Sequence, residues 1–189
     1  MKRATASDKE QIIRILSYSF GENKSIGSLV GNRKGRNNRI YKLMNYAFDE
    51  CMDFGIVYIS EDLKACALVL FPEKKRMTYK SILRNFRLVV SVIGLFNVAK
   101  ILNKESIVSK VQYSEGLKYY VWFIGVDVAF QSQGIGKSLL SELIIDSGKM
   151  KRQLILETST EKNLSFYTAN GLSIYNDVDV GYRLYFLRY

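Results

Sequence analysis

The segment spanning residues 118–147 constrains the fold more than any other part of the chain. It opens with an aromatic and β-branched run at 118–128, passes through a glycine loop at 133–136, and continues as an apolar stripe of helical spacing to about Ser147. Ile135, Leu139, Leu140, Leu143 and Ile144 make the stripe, Lys137, Ser138 and Glu142 stay polar, and Gly148 reads as the helix stop. A strand, a glycine turn and a helix in this order leave several free backbone amides at the helix start, so the loop at 131–138 is a candidate anion cradle. Gly134 and Gly136 let a pyrophosphate approach the main chain with no Cβ in the way, and Lys137 adds charge at the rim. The plainer alternative is that both glycines only turn the chain.

The remaining elements can be read around this unit. Residues 2–5 suit a short first strand, and Ser7 with Glu10 forms a capping box for a helix through about Phe20, where Ile12, Ile13, Leu16 and Phe20 recur at helical spacing beside Ile15. Residues 21–38 are polar, basic and glycine-rich and read as a loop; 39–54 are helical up to Gly55. The runs 56–60 and 65–71 make a hairpin around the polar turn 61–64. In 77–113, Ile82, Leu83, Phe86, Val89, Val90, Ile93, Phe96 and Leu102 give a pattern apolar nearly all round, read as helices at 79–103 and 105–112. Burial against the sheet or along a pocket is the favoured account of that pattern; the alternative is a peripheral membrane contact aided by Lys80, Arg84 and Arg87. Residues 153–157 then form a strand, 163–170 a short helix, and 172–178 and 181–188 two terminal strands. No repeat, low-complexity tract or linker interrupts this order. The expectation is an α/β fold in one domain, residues 1–189, with a mixed central sheet of about seven strands, flanking helices and a helical insert before the fourth strand.

Composition removes several kinds of chemistry. The chain has no histidine, which excludes Ser-His and Cys-His nucleophile pairs and takes away the commonest transition-metal ligand, so no metal is expected. Cys51 and Cys66 lack metal-ligand spacing and read as reduced packing residues. Neither a signal peptide nor an apolar run approaching the roughly 20 residues of a membrane span is visible, which points to a cytoplasmic protein. Lys and Arg exceed Asp and Glu by 28 to 18, a net +10 that attracts nucleic acid, acidic membrane surfaces or a phosphorylated small molecule alike. Arg33, Lys34, Arg36 and Arg39 are the cluster a nucleic-acid binder would use, but a solvated loop is the better reading, and no nucleic acid is expected.

Three phosphate-binding families use glycine loops of this kind. A P-loop matches at Gly136, Lys137 and Ser138 but has Gln131 where its first glycine belongs, and the run Leu143, Ile144, Ile145, Asp146 that would carry its aspartate lies inside the adjoining helix. A dinucleotide fingerprint requires glycine where Leu139 stands. Gln131, Gly134 and Gly136 match the Q/R-x-x-G-x-G/A loop of the GNAT superfamily of acyl-CoA-dependent N-acetyltransferases, and the preceding Phe123, Ile124, Gly125, Val126 and Asp127 resemble its usual strand. Downstream, LETSTEKNLSFYTANGL at 156–172 resembles the segment in which an Asn precedes a Phe-Tyr pair and a Gly ends the helix. The resemblance covers residues 118–172; the amino-terminal half agrees in element order only.

That resemblance implies acetyl-CoA as co-substrate. Ile124, Gly125 and Val126 would offer main-chain groups to the pantetheine, and Gln131, Ser132, Gln133, Gly134, Ile135, Gly136, Lys137 and Ser138 would hold the pyrophosphate. Asn163 would contact the cofactor arm, Phe166 would pack on it, and Tyr167 would direct its hydroxyl at the departing sulfur. It implies direct transfer to a primary amine in a ternary complex, the acceptor being a small amine or a peptide terminus. Glu157 is the candidate base, with a salt bridge to a surface lysine as its rival role, and Asn163 has a rival role as a helix cap. A non-catalytic acyl-CoA-binding module is the alternative function, and the final strand offers an edge for a homodimer.

Overall fold

The computed structural model describes residues 1–31, 34–94, 98–112 and 116–189, without the side chain of Lys100. Arg33 and Phe96, both used in the sequence reading, lie outside the described residues. Seven strands build one mixed sheet in the order β1-β2-β3-β4-β5-β7-β6. They are β1 (Lys2–Arg3), β2 (Gly55–Ile59), β3 (Ala65–Leu70), β4 (Lys118–Val126), β5 (Gln153–Thr158), β6 (Ser173–Asp179) and β7 (Arg183–Arg188). Neighbours pair antiparallel except β4 and β5, which run parallel. The final strand lies between β5 and β6, so both its edges are used and it has none to offer a second copy, contrary to expectation.

Helices cover both faces. On one, α1 (Lys9–Ser19) and α3 (Arg36–Phe54) pack against the sheet. The stripe read from the sequence is buried: Ile12, Ile13, Ile15 and Leu16 are each no more than 1% exposed, and each contributes roughly 1.5–3 kcal/mol of burial. On the other face α6 (Ile135–Lys149) buries Leu139, Leu140 and Leu143. A polar clasp fixes α6 to the sheet, because the hydroxyls of Tyr58 on β2 and Tyr119 on β4 both donate to Asp146 Oδ2, at 2.6 and 2.9 Å. Hydrogen bonds to a carboxylate are stronger than neutral ones, so the clasp sets the helix position relative to the strands on either side of β3.

Several boundaries differ from the sequence reading, each for a local reason. The capping interaction lies at Thr5, whose N–H donates to Asp8 Oδ2 at 2.8 Å, instead of at Ser7 and Glu10. Residues read as loop contain α2 (Lys24–Val30): Asn23 caps it by accepting from Ile26 N at 3.2 Å, and Ile26 and Val30 are buried. Arg36 and Arg39 therefore sit in the first turn of α3 and not in a solvated loop. Gly148 lies inside α6 and does not stop it; the helix ends at Lys149, and Lys151 takes the left-handed conformation (φ 53°). Arg152 N–H returns to Ser147 O and Lys151 N–H to Gly148 O, both at 3.0 Å, which satisfies the last carbonyls. Cys51 and Cys66 are buried and unpaired with each other, and burial pushes both thiols up.

The helical insert departs most. It comprises α4 (Tyr79–Leu88), a π-helical turn at Val89–Ile93 that ends on left-handed Gly94, and α5 (Val98–Gln112); the break falls at Gly94, well before Lys104. Expected burial is also overturned: Ile82, Leu83, Phe86, Val90 and Leu102 are exposed, while Val92, Ile93 and Val108 are buried.

Gly55 ends α3 and starts β2. Its φ of −161° is open to any residue, but a Cβ there would lie 1.9 Å from Val69 O, so close approach of β3 is what demands glycine. Gly55→Ala is expected to cost at least ~2 kcal/mol by overpacking, read from the midpoint of urea unfolding. An unchanged midpoint would show that the strands give way instead.

Candidate functional site

The site begins with a fault in β4. Pairing with β3 runs Tyr120↔Leu70 and Val121↔Val69, then resumes at Phe123↔Leu68, leaving Trp122 as an extra residue. Side chains confirm the bulge: Tyr119 and Val121 face the α6 side, Tyr120, Trp122 and Phe123 all face the α1 side, and Ile124 and Val126 return to the α6 side. A bulge bends its strand and sharpens the twist. Parallel pairing with β5 stops at Val121↔Leu156, one residue before the bulge, and the two strands separate beyond it.

The last turns of β4 are consequently one-sided. Asp127 N–H bonds to Lys64 O on the β3 side at 2.7 Å, so by alternation Gly125 also faces β3, while Ile124 and Val126 turn their main-chain groups into the gap. Val126 O accepts from Ser19 Oγ at 2.7 Å and from Gln131 Nε2 at 3.3 Å. Gly125 brings the end of α1 close: a Cβ there would meet Leu16 Cδ2 at 3.0 Å and Ser19 Oγ at 3.3 Å.

A cleft of about 600 Å³ occupies the gap. Of the residues singled out in the sequence, Ile124, Gly125, Val126, Gln131, Ser132, Gly134, Gly136, Lys137, Asn163, Phe166 and Tyr167 line it. Gln133, Ile135 and Ser138 do not; Ile135 packs toward the core, and Ser138 N–H is already bonded to Gly134 O at 3.0 Å. Ser132 (φ 61°) and Gly134 (φ 81°) are both left-handed, which curls the loop ahead of the positive end of the α6 dipole. A Cβ on Gly136 would lie 3.4 Å from Val126 Cγ2 and 3.9 Å from Phe166 Cζ, in the floor of the cleft.

The opposite wall is α7 (Leu164–Ala169). Asn163 precedes it without making a side-chain cap bond, so its amide is left for the cleft. Tyr167 is buried, burial pushes its phenol up to about 12, and no described residue hydrogen-bonds its hydroxyl. Sequence reasoning missed Ser19, Phe20, Glu22, Asn23, Phe130, Thr160, Lys162 and Asn170, which complete the lining. Asn23 carried a signal as a helix cap, but nothing in the sequence showed that its side chain also reaches Thr160 Oγ1 (3.4 Å) and Ser159 Oγ (3.4 Å) at the end of β5.

Glu157 does not share a wall with Tyr167. It alternates with Leu156 and Thr158 on β5 and so faces the other side of the sheet, where it lines a second cavity of about 220 Å³ with Tyr120, Trp122, Phe123, Glu105 and Gln112. Phe20 and Asn23 line both cavities and form the partition between them; Phe20 stacks edge-on against Phe123 at 5.1 Å. Gln112 Nε2 donates to Glu157 Oε1. Burial pushes the Glu157 carboxyl up to about 7, against the opposing effect of the Gln112 bond. Burial and then the charge of Glu157 raise the neighbouring Tyr120 phenol well above its ordinary value.

No protein-family model matches the sequence, and no curated protein does either. Solved structures do match the fold along nearly the whole chain. An acetyltransferase from Corynebacterium glutamicum superposes with a TM-score of 0.70 at 13% identity, covering 99% of this chain and 93% of that one. Arylalkylamine N-acetyltransferase 2 from Aedes aegypti gives 0.64 at 12% identity, covering 99% and 95%. A Desulfovibrio desulfuricans protein assigned to the GNAT family of acetyltransferases gives 0.56 at 15% identity, covering 100% and 96%. The sheet order, the parted parallel strands and the glycine loop at the start of α6 thus build in this chain the fold of the GNAT acetyltransferases.

Proposed function

We propose that the protein transfers an acetyl group from acetyl-CoA to a primary amine, directly, within a ternary complex. The observation that carries this reading is the main-chain edge of β4 at Ile124 and Val126 that no strand pairs, set between the glycine loop and the buried phenol of Tyr167. An extended ligand arm can add to that edge as a further strand would. The N–H groups between Ser132 and Lys137, with Lys137 and Lys162 beside them, suit a diphosphate; Asn163 and Phe166 suit the arm. Acetyl-CoA held there would supply an activated thioester.

The chain's own groups then divide the work. Val126 N–H, fixed by the sheet, donates to the acyl carbonyl oxygen and stabilises charge developing on it. The Tyr167 hydroxyl donates to the sulfur. With its pKa pushed up to about 12 against ~8.5 for a thiol, full proton transfer is uphill by about 5 kcal/mol, so a hydrogen bond is the role the phenol fills. Glu157 accepts the proton of the incoming ammonium across the Phe20 and Asn23 partition, through water. Its aromatic surroundings suit an amine on an apolar body, as the name of the Aedes aegypti neighbour also suggests. The cleft-facing phenol favours catalysis over a non-catalytic acyl-CoA-binding module.

The deciding experiment is release of free thiol from acetyl-CoA against pooled alkylamines, arylalkylamines, polyamines, aminoglycosides and peptides. Release stimulated by an amine is expected; acetyl-CoA binding with no stimulated release by any pool returns the protein to the binding-module reading. Tyr167→Phe is expected to lower turnover at least ~10-fold, about 1.4 kcal/mol of barrier, while leaving acetyl-CoA affinity nearly unchanged. Because Glu157 is raised to about 7, it is protonated below that pH and cannot accept. The rate should therefore climb with pH through about 7, and Glu157→Gln should remove that limb. A limb that survives the substitution would belong to another group.

A further inference from the structure

Helix α4 is bonded to the fold by its polar face. Arg84 forks between Glu50, itself 1% exposed (Nη2 to Oε1, 2.7 Å), and Asp53 (Nη1 to Oδ2, 2.8 Å). Tyr46 donates its hydroxyl to Asn85 at 2.8 Å, and Ser81 is buried. An ordinary surface helix buries its apolar stripe and shows its charges to water; here the arrangement is inverted. Tyr79, Ile82, Phe86 and Val90 fall within an arc of about 100° at ~100° per residue, and they are 83%, 50%, 64% and 58% exposed. Met77, just before the helix, is 88% exposed. Lys80 and Arg87 lie two turns apart along the border of this stripe, and Lys74, Lys75 and Arg76 precede it. Between Glu73 and Glu105 the sequence contains no Asp or Glu at all.

We propose that this face seats the protein on an anionic lipid bilayer, with α4 lying in the plane of the surface. The apolar stripe would enter the boundary between headgroups and acyl chains while the bordering cations meet the acidic headgroups. No described helix is long and apolar enough to cross a membrane, so the contact is a peripheral one. A protein partner fits less well, because protein interfaces are depleted of lysine around their apolar centre and this stripe is bordered by it. The ion pairs of Arg84 make the exposure a fixed property of the fold: turning the stripe inward would break both of them and leave Glu50, 1% exposed, with only the longer contact to Lys75 at 4.0 Å, a costly state. The proposal is independent of the transfer reaction.

The test is co-sedimentation of the full chain with vesicles of phosphatidylcholine and phosphatidylglycerol, and with vesicles of phosphatidylcholine alone. Binding to the mixed vesicles is expected at low salt, falling as salt is raised, with weak binding to phosphatidylcholine. Ile82→Glu with Phe86→Glu should weaken binding at least ~10-fold with circular dichroism unchanged, since both side chains are exposed. Lys80→Glu with Arg87→Glu, which alters no packed group, should remove the preference for the acidic lipid. Absence of binding to the mixed vesicles at low salt overturns the proposal, as does binding that neither pair of substitutions changes. Self-association abolished by Phe86→Glu, without vesicle binding, overturns it in favour of a second copy of the chain.

Discussion

Everything at the centre of this molecule depends on a ladder that stops early. Main-chain donors and acceptors inside a protein are almost always paired, and a parallel pair such as β4 and β5 would ordinarily continue to the ends of both strands. Here it ends at Val121 and Leu156, and the bulge at Trp122 carries β4 away. The end of α1 holds that bend by crossing at Gly125 and bonding Ser19 to the Val126 carbonyl, while Asn23 ties the start of α2 to the end of β5. The gap is thus propped from outside the sheet, by elements whose own stability comes from the core of α1 and α3.

A parted sheet is open on both faces, which lets two chemically different environments meet. On the α6 side lie backbone N–H groups, glycines and a buried phenol; on the α1 side lie aromatic rings and a buried carboxylate. The strand plane keeps Tyr167, its phenol pushed up to about 12, apart from Glu157, its carboxyl pushed up to about 7. Both shifts come chiefly from burial, yet they fall on opposite sides of the chain's most buried layer.

What the sequence revealed and concealed follows from the range of each interaction. The strand, loop and helix around Gly134 and Gly136 were legible because their pattern is local: an aromatic and β-branched run, two glycines, then a 3.6-residue stripe. The seven strands were legible for the same reason. Asn23, Thr160 and Lys162 were not, because they reach the cleft through contacts between elements distant in sequence. Helix α2 was hidden by Gly27 and its short length, and the helix end at Lys149 by a non-glycine residue, Lys151, taking the left-handed turn. For α4 the helical periodicity is legible in the sequence, but its end at Leu88 and the direction of its two faces are not. Periodicity identifies two faces, but only the partners of Glu50 and Asp53 on α3 decide that the charged one turns inward.

The placement of β7 between β5 and β6 has a consequence for how the molecule assembles. β6 is made before β7, yet nothing pairs it to the rest of the sheet until β7 arrives, and until then β5 presents an open outer edge. On the ribosome, the nascent chain carries that open border from the completion of β5 at Thr158 until β7, Arg183–Arg188, has been made. The hairpin of β6 and β7 closes quickly because it is local, so docking of the finished hairpin onto β5 is the step that covers the β5 edge and moves the outer border of the sheet to β6.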